Sequence, residues 1–432
     1  NKYGVFPSGS IGWNISEEDF FNSNLINSLK FRASYGVIGN DRIPGFVYVS
    51  VLDGEAVYSD NDEVTEEDLL RGVAEGQLSN PSVVWEKQKT SNIGLDFSLL
   101  DSKFSVSLDA YERETEDLLV TPQASGVLGV AAPGSAPPTV NAGTVSNKGI
   151  EFSLAYSDTI GDELDLNLGF NVSTIENEVL FVASENGFEQ GGGWGVGLGI
   201  IPSRMEAGYP IGYFYGYKTN GIYQNQSEID ALDANAFNAD GESIDFHSGA
   251  KVGDLKFVDV NGDGFISDDD KTYIGDPIPD FTMGFNLGFN YKNFDFNTSA
   301  YASIGNDMVR DYERQAAGVN RGTYMYDRWR GEGTSNTVPR ASDGSSINNS
   351  NFSDFYVEDA SYLRIQNVQL GYTANESLTN RLGMDSLRMY LSVNNLFTFT
   401  NYYGFDPSAS SGSPIGAGID KGFYPVSRSF IL

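Results

Sequence analysis

The residues best suited to chemistry in this 432-residue chain lie in DVNGDGFISDDD, residues 259–270. Asp259, Asn261 and Asp263 stand at positions 1, 3 and 5 of a calcium-type loop, with Gly264 at position 6 and Asp270 at position 12. Calcium takes several hard oxygen ligands at about 2.4 Å. Carboxylates and an amide alternating round a glycine turn can present their oxygens to one point, and the Phe265 carbonyl at position 7 completes the set. Position 12 is Asp rather than the bidentate Glu, and no helical pattern flanks the stretch, so the loop is EF-hand-like without being an EF-hand. The same residues also read as an Asn/Asp/Gly turn with solvated carboxylates.

Little else points to reaction chemistry. His247 is the only histidine and no G-x-S-x-G surrounds a serine, so a Ser-His-Asp arrangement finds no second signal. With Asp+Glu 59, nothing singles out two carboxylates as a glycosidase pair. GGGWGVGLG, residues 191–199, lacks the strand, the helix and the Lys-Ser/Thr of a phosphate loop, and reads as a flexible loop. GYPIGYFYGYKTNGIY, residues 208–223, concentrates tyrosines that can stack on sugar rings or peptide side chains, or equally form an aromatic girdle or ordinary packing. The net charge of -32 and the lack of a Lys/Arg cluster argue against a nucleic-acid partner. The acids gather between candidate strands, as in 53–68 and 267–271, and read mostly as solvated loops. Cys 0 excludes disulfides and thiol chemistry. The first residues, NKYGVFPSGSIGW, have neither a charged n-region nor an apolar h-region, so they are no signal peptide and the chain reads as cropped.

The elements that carry these loops are strands. In 281–291 the odd positions are Phe281, Met283, Phe285, Leu287, Phe289 and Tyr291, against Thr282, Gly284, Asn286, Gly288 and Asn290. Period two is the mark of a strand with one apolar face. After Lys292 and Asn293 the alternation resumes through Phe294, Phe296, Thr298, Ala300 and Ala302, which predicts a hairpin. Ten steps of roughly 3.3 Å, tilted near 40°, project to roughly 25 Å, the height of the apolar band of a transmembrane barrel. The alternation predicts Phe285, Leu287 and Phe289 toward lipid, and Asn286, Gly288 and Asn290 toward a lumen. No apolar run is long enough for a transmembrane helix, so any crossing is by strands.

The same pattern at 93–99, 104–110, 150–156, 164–170 and 387–393, with weaker signals at 3–13, 29–38, 362–372 and 424–432, gives about eleven strands. Connections alternate in length. Short turns at 101–103, 158–163, 292–293 and 375–385 are separated by long loops at 115–143, 305–361 and 398–423. Sorting of this kind is what a barrel shows when one rim faces the periplasm and the other the outside. Residues 174–281 hold either no crossing, as one external excursion, or two, with 212–223 part of the pair. The odd count against an even barrel, and an open sheet whose edges would stand unpaired in lipid, predict that further strands precede residue 1.

Several stretches together resemble the SusC/RagA-type TonB-dependent outer-membrane transporters in their C-terminal barrel portion. They are YGVFPSGSIGW (3–13), LKFRASYGVIGN (29–40), WEKQKTSNIGLDF (85–97), NKGIEFSL (147–154), GDLKFVDVNGDGFISDDD (253–270), YLRIQNVQLGY (362–372) and YPVSRSF (424–430). The resemblance implies an all-β fold, a transmembrane antiparallel β-barrel of 22 strands with long external loops, of which residues 1–432 are the C-terminal part and 251–280 an external insertion holding the calcium loop. It also implies an N-terminal plug, a SusD-like surface lipoprotein as cap, energy from TonB through the N-terminal region, and import of glycans or oligopeptides across the outer membrane of a Gram-negative bacterium. Neither plug nor TonB box lies in the chain, and Leu432 falls short of the family's usual aromatic end. No enzyme activity is expected. The competing expectation is a secreted, calcium-stabilised β-protein acting as adhesin or glycan-binding module.

Overall fold

The structure, a computed structural model, describes residues 3–41, 43, 45, 47–50, 52–59, 69–76, 78–120, 138–161, 163–184, 186–191, 201–312, 322–342, 347–410 and 414–432. The remainder of the acidic stretch (60–68), most of the glycine-rich loop (192–199) and 313–321 and 343–346 within the loop after residue 305 lie outside these.

One 12-stranded sheet dominates. Its strands, numbered here along the chain, are β1 (Ser8–Asn14), β2 (Ile26–Asn40), β3 (Glu86–Leu99), β4 (Phe104–Val120), β5 (Val140–Ile160), β6 (Leu164–Thr174), β7 (Glu176–Val182), β8 (Phe281–Tyr291), β9 (Phe294–Ile304), β10 (Tyr362–Thr373), β11 (Arg388–Thr400) and β12 (Ser429–Ile431). Neighbours in sequence pair antiparallel across the sheet. The one exception is β7, which continues along β5 beyond β6, while β8 lies directly beside β6.

Register makes the two faces explicit. One row of partners runs Trp13, Phe31, Leu95, Leu108, Phe152, Val172, Met283, Ala302, Leu363, Phe399, all but one a large apolar residue. One residue along, on the opposite face, the row runs Gly12, Arg32, Gly94, Asp109, Glu151, Ser173, Thr282, Ser303, Tyr362, Thr400. Among the described residues this face stays open, with Ile93 58%, Ile150 53% and Phe399 57% exposed. A continuous apolar face of this breadth calls for an apolar surrounding.

All short connections leave the sheet at one end, at 15–25, 100–103, 161–163, 292–293 and 374–387, and all long ones at the other. Among the described residues of 175–280, β7 alone belongs to the sheet and no pair of strands crosses it, so of the two expectations the single excursion holds. Tyr213–Gly216 and Thr219–Ile222, offered as part of a crossing pair, instead join two small sheets at the loop end. The expected loop at 115–143 is shorter than its sequence suggested, because β4 runs to Val120 and β5 begins at Val140. Beyond the apolar band, at 113–116 and 146–148, both faces of these strands are polar, so the ladder continues after the hydrophobic period has stopped. The candidate strand at 424–432 shrinks to Ser429–Ile431.

At the loop end three chain segments, 183–280, 305–361 and 401–428, fold together into a cap. Phe214, Val309, Phe352, Tyr356 and Ile419 share one buried cluster drawn from all three. Val145, Val179 and Val182 of the wall pack with Met205, Ile211 and Ile415 in another, which seats the cap on β5 and β7. Polar clamps close the same joints. Asp254, fully buried, accepts from Arg340 Nε at 2.8 Å and Asn349 Nδ2 at 3.0 Å. Arg364 Nη2 reaches Asp406 Oδ1 at 2.6 Å, both side chains being nearly buried.

Candidate functional site

The loop at 259–270 folds as a turn held by its own backbone. Asp259 accepts from Gly262 N at 2.6 Å and Gly264 N at 2.9 Å, one with each oxygen. Asp270, fully buried, accepts from Val260 N at 2.8 Å and Ser267 N at 2.7 Å. Asn261 Oδ1 accepts from Asp263 N at 2.9 Å, and Asp263 Oδ1 from Phe265 N at 3.2 Å. Gly262 and Gly264 sit at φ 76 and 92, the left-handed region that glycine tolerates, which lets the chain curl this tightly. The four side-chain oxygen ligands are therefore in one compact loop, each already accepting an N–H. Among the described residues no three acidic or histidine side chains are gathered closely enough to hold a metal ion.

The polar face of the sheet is the second candidate surface. Arg32 is its fixed point: Nε and Nη2 donate to Asp96 at 2.6 and 2.8 Å, while Nη1 and Nη2 donate to Asp109 at 3.0 and 2.9 Å. Three neighbouring strands are thus tied by one doubly bidentate guanidinium, whose planar fork suits two carboxylates at once. Between this network and the Arg388–Asp295 ion pair nearer the turn end lies an uncharged row. Here the row of partners runs Ser28, Ser98, Ser105, Ala155, Gly169, Asn286, Ser299, Asn367, Asn394, Ser429, without a charged or long side chain. Two concavities of ≈ 460 Å³ and ≈ 450 Å³ lie along it and share Ala155, Gly169 and Asn286. Its hydrogen bonds run within the row, Asn367 Nδ2 to Asn394 Oδ1 at 2.8 Å and Asn394 Nδ2 to Ser429 Oγ at 3.1 Å.

The other residues singled out in the sequence serve packing. His247 is buried beside Tyr223 and Phe257, with ring centroids 5.9 and 4.9 Å away. The tyrosine-rich stretch puts Tyr209 and Tyr213 face to face at 4.6 Å, with Tyr273 stacked alongside. Arg204 lies over the rings of Phe188 and Tyr215 at 4.0 and 3.4 Å.

Two faces of opposite polarity, sorted loops and, β7 aside, pairing in sequence order are the build of a transmembrane barrel wall. A family model described as TonB dependent receptor-like, beta-barrel, matches residues 1–396. The chain belongs to the TonB-dependent receptor β-barrel family. TonB-dependent receptor P3 of Formosa agariphila is 33% identical over 444 residues, covering 100% of this chain and 42% of the relative. TonB-dependent receptor SusC of Bacteroides thetaiotaomicron is 29% identical over 440 residues, with 100% and 40% covered. The solved structure of the RagAB peptide transporter superposes with a TM-score of 0.70 at 22% identity, over 98% of this chain and 42% of that one, a likeness of fold. The barrel chain therefore spans about two fifths of the length of the relatives it matches.

In a TonB-dependent receptor barrel the apolar rows face lipid and the polar rows the lumen. Phe285, Leu287 and Phe289 belong to the former, Asn286, Gly288 and Asn290 to the latter, as the alternation predicted. Sequence reading missed the Arg32 network, although a lone Arg and two Asp on a face otherwise rich in Ser, Gly and Asn were the available signal.

Proposed function

We propose that this chain is the barrel wall and external cap of an active importer of the SusC/RagA type in the outer membrane of a Gram-negative bacterium. It takes up glycans or oligopeptides, draws energy from TonB and works with a SusD-like surface lipoprotein. The observation that carries the reading is the match of the whole chain to SusC, joined to the fold likeness with RagAB, a peptide transporter. A lumen lined by amides, hydroxyls and a fixed ion network suits polar cargo. The test is uptake of labelled oligosaccharides and oligopeptides by cells with and without the full-length gene, with and without a protonophore. One cargo class should enter only when the gene is present and the protonophore absent. Uptake of both classes that is equal in the two strains, or indifferent to the protonophore, would overturn the proposal.

Calcium belongs to the same reading, as a structural ion of the cap. Asp259, Asn261, Asp263, the Phe265 carbonyl and Asp270 are the donors that would hold it. Carboxylate oxygens that accept one N–H keep a lone pair for a cation, and extracellular loops of this kind fill at about 10⁻⁴ to 10⁻³ M calcium. Support comes from the donor types and the compact glycine turn. Chelation of the intact protein should lower its thermal midpoint, and Asp259→Ala should remove that response; a midpoint unmoved by chelator excludes the ion.

A further inference from the structure

The cap meets the wall at a joint built of acids. The chain enters β8 through 276–280 and leaves β9 through 305–307, and these two strands of backbone are stitched together. Asp307 N donates to the Asp276 carbonyl at 2.7 Å, and Asp276 N points back to Asp307 Oδ2 at 3.4 Å. Asp276 also accepts from the Tyr273 hydroxyl and, at 2.9 Å, from Ile278 N. Two glycines make room for the carboxylates. A Cβ on Gly275 (φ 143) would stand 2.5 Å from Asp307 Oδ2, and one on Gly305 (φ 90) 2.2 Å from Asp280 Oδ2.

The charges facing Asp307 are all negative. Asp276 and Asp280 lie on the entering segment, and Asp359 sits on the strand Val357–Asp359 opposite Asp307 itself. On the third strand of that small sheet, Asp420 is engaged by the Tyr402 hydroxyl. The nearest cation along the chain, Arg310, is committed to Glu358 at 2.6 Å. Among the described residues no Lys or Arg forms an ion pair with Asp276, Asp280, Asp307 or Asp359.

We propose that this joint is a hinge tightened by mild acid: protonated, Asp307 lets the two segments close on each other, and ionised, it loosens the cap from the wall. Burial pushes the Asp307 carboxyl up to about 6, repulsion from Asp276, Asp359 and Asp280 adds to this, and the Asp276 N–H opposes it. Asp276 is raised in the same sense, first by burial, against its bonds from Tyr273 and Ile278. A carboxyl raised on folding contributes stability below its ordinary range, and that contribution is lost as pH rises through about 6. The joint is thus firm at pH 5 and weakened at pH 7.5. The inference rests on the fold alone and stands apart from the proposed import.

Hydrogen exchange of the intact protein in detergent micelles tests it, with rates corrected for intrinsic pH dependence and read on peptides spanning 275–281 and 304–308. Between pH 5 and 7.5 protection should fall by about tenfold and level off above about pH 6, the part of the change from about 4 to about 6 that lies above pH 5. Asp307→Asn should hold these peptides at their acid-level protection at both pH values. Exchange that does not change over this range, a fall already complete below about pH 5, or a variant that loses protection on neutralisation as the native protein does would each overturn the proposal. Should the variant not fold, the native protein's fall between pH 5 and 7.5 decides alone.

Discussion

A single side chain's position in the alternation sets what it costs to change. Leu287 pairs with Leu168 and Thr298 on the lipid face, while its neighbour Asn286 pairs with Gly169 and Ser299 on the lumen face. Arginine at 287 places a charge in hydrocarbon, and Leu287→Arg should cost about 2 to 4 kcal/mol near the midplane. Asn286→Arg, facing water, should cost far less. Denaturant unfolding from lipid vesicles measures both, and equal losses would remove the assignment of faces. This much was legible from one strand, because period two is written into every residue of it. The Arg32 network was not, since Asp96 and Asp109 lie 64 and 77 residues away in sequence and meet Arg32 only once register is set. The calcium-type loop was legible in donor types alone. That each of its four side-chain ligands is already hydrogen-bonded to the turn's own backbone follows from its curl, which residue spacing does not specify.

At the scale of elements, apolar alternation located strands and misjudged their ends. It failed where β4 and β5 rise beyond the lipid band, because there neither face needs to be apolar. It also failed on the cap, whose short strands of two to four residues carry no period long enough to recognise. These short elements are held by a few buried contacts between distant segments, so their strength is concentrated. Arg340 is the ion-pair partner of fully buried Asp254, and Arg340→Met leaves that carboxylate without its countercharge. Removing one partner of such a pair costs about 3 to 5 kcal/mol. The loss should appear as faster exchange of the Leu255 amide, which donates to Asn349 at 2.9 Å beside the clamp. Exchange unchanged in the variant would mean that Asn349 and the Lys251 amide, which donates to Asp254 Oδ2 at 3.0 Å, hold the carboxylate unaided.

For the whole molecule, the sorting of connections carries the most information. Every short turn leaves one rim and every long segment the other, so one decision about orientation places the entire cap. The family match removes the secreted adhesin as a reading, because that alternative had no use for an uncovered apolar face. The central claim is a lipid-embedded wall with its turns in the periplasm and its cap outside. It is tested most directly by single cysteines in a chain that natively has none. Asp240→Cys lies on the exposed surface of the cap and Asp385→Cys in the exposed connection between β10 and β11. In intact cells expressing the full-length protein, a membrane-impermeant thiol reagent should label position 240 at once and position 385 only after the outer membrane is permeabilised. Labelling of 385 but not 240 in intact cells would contradict the account.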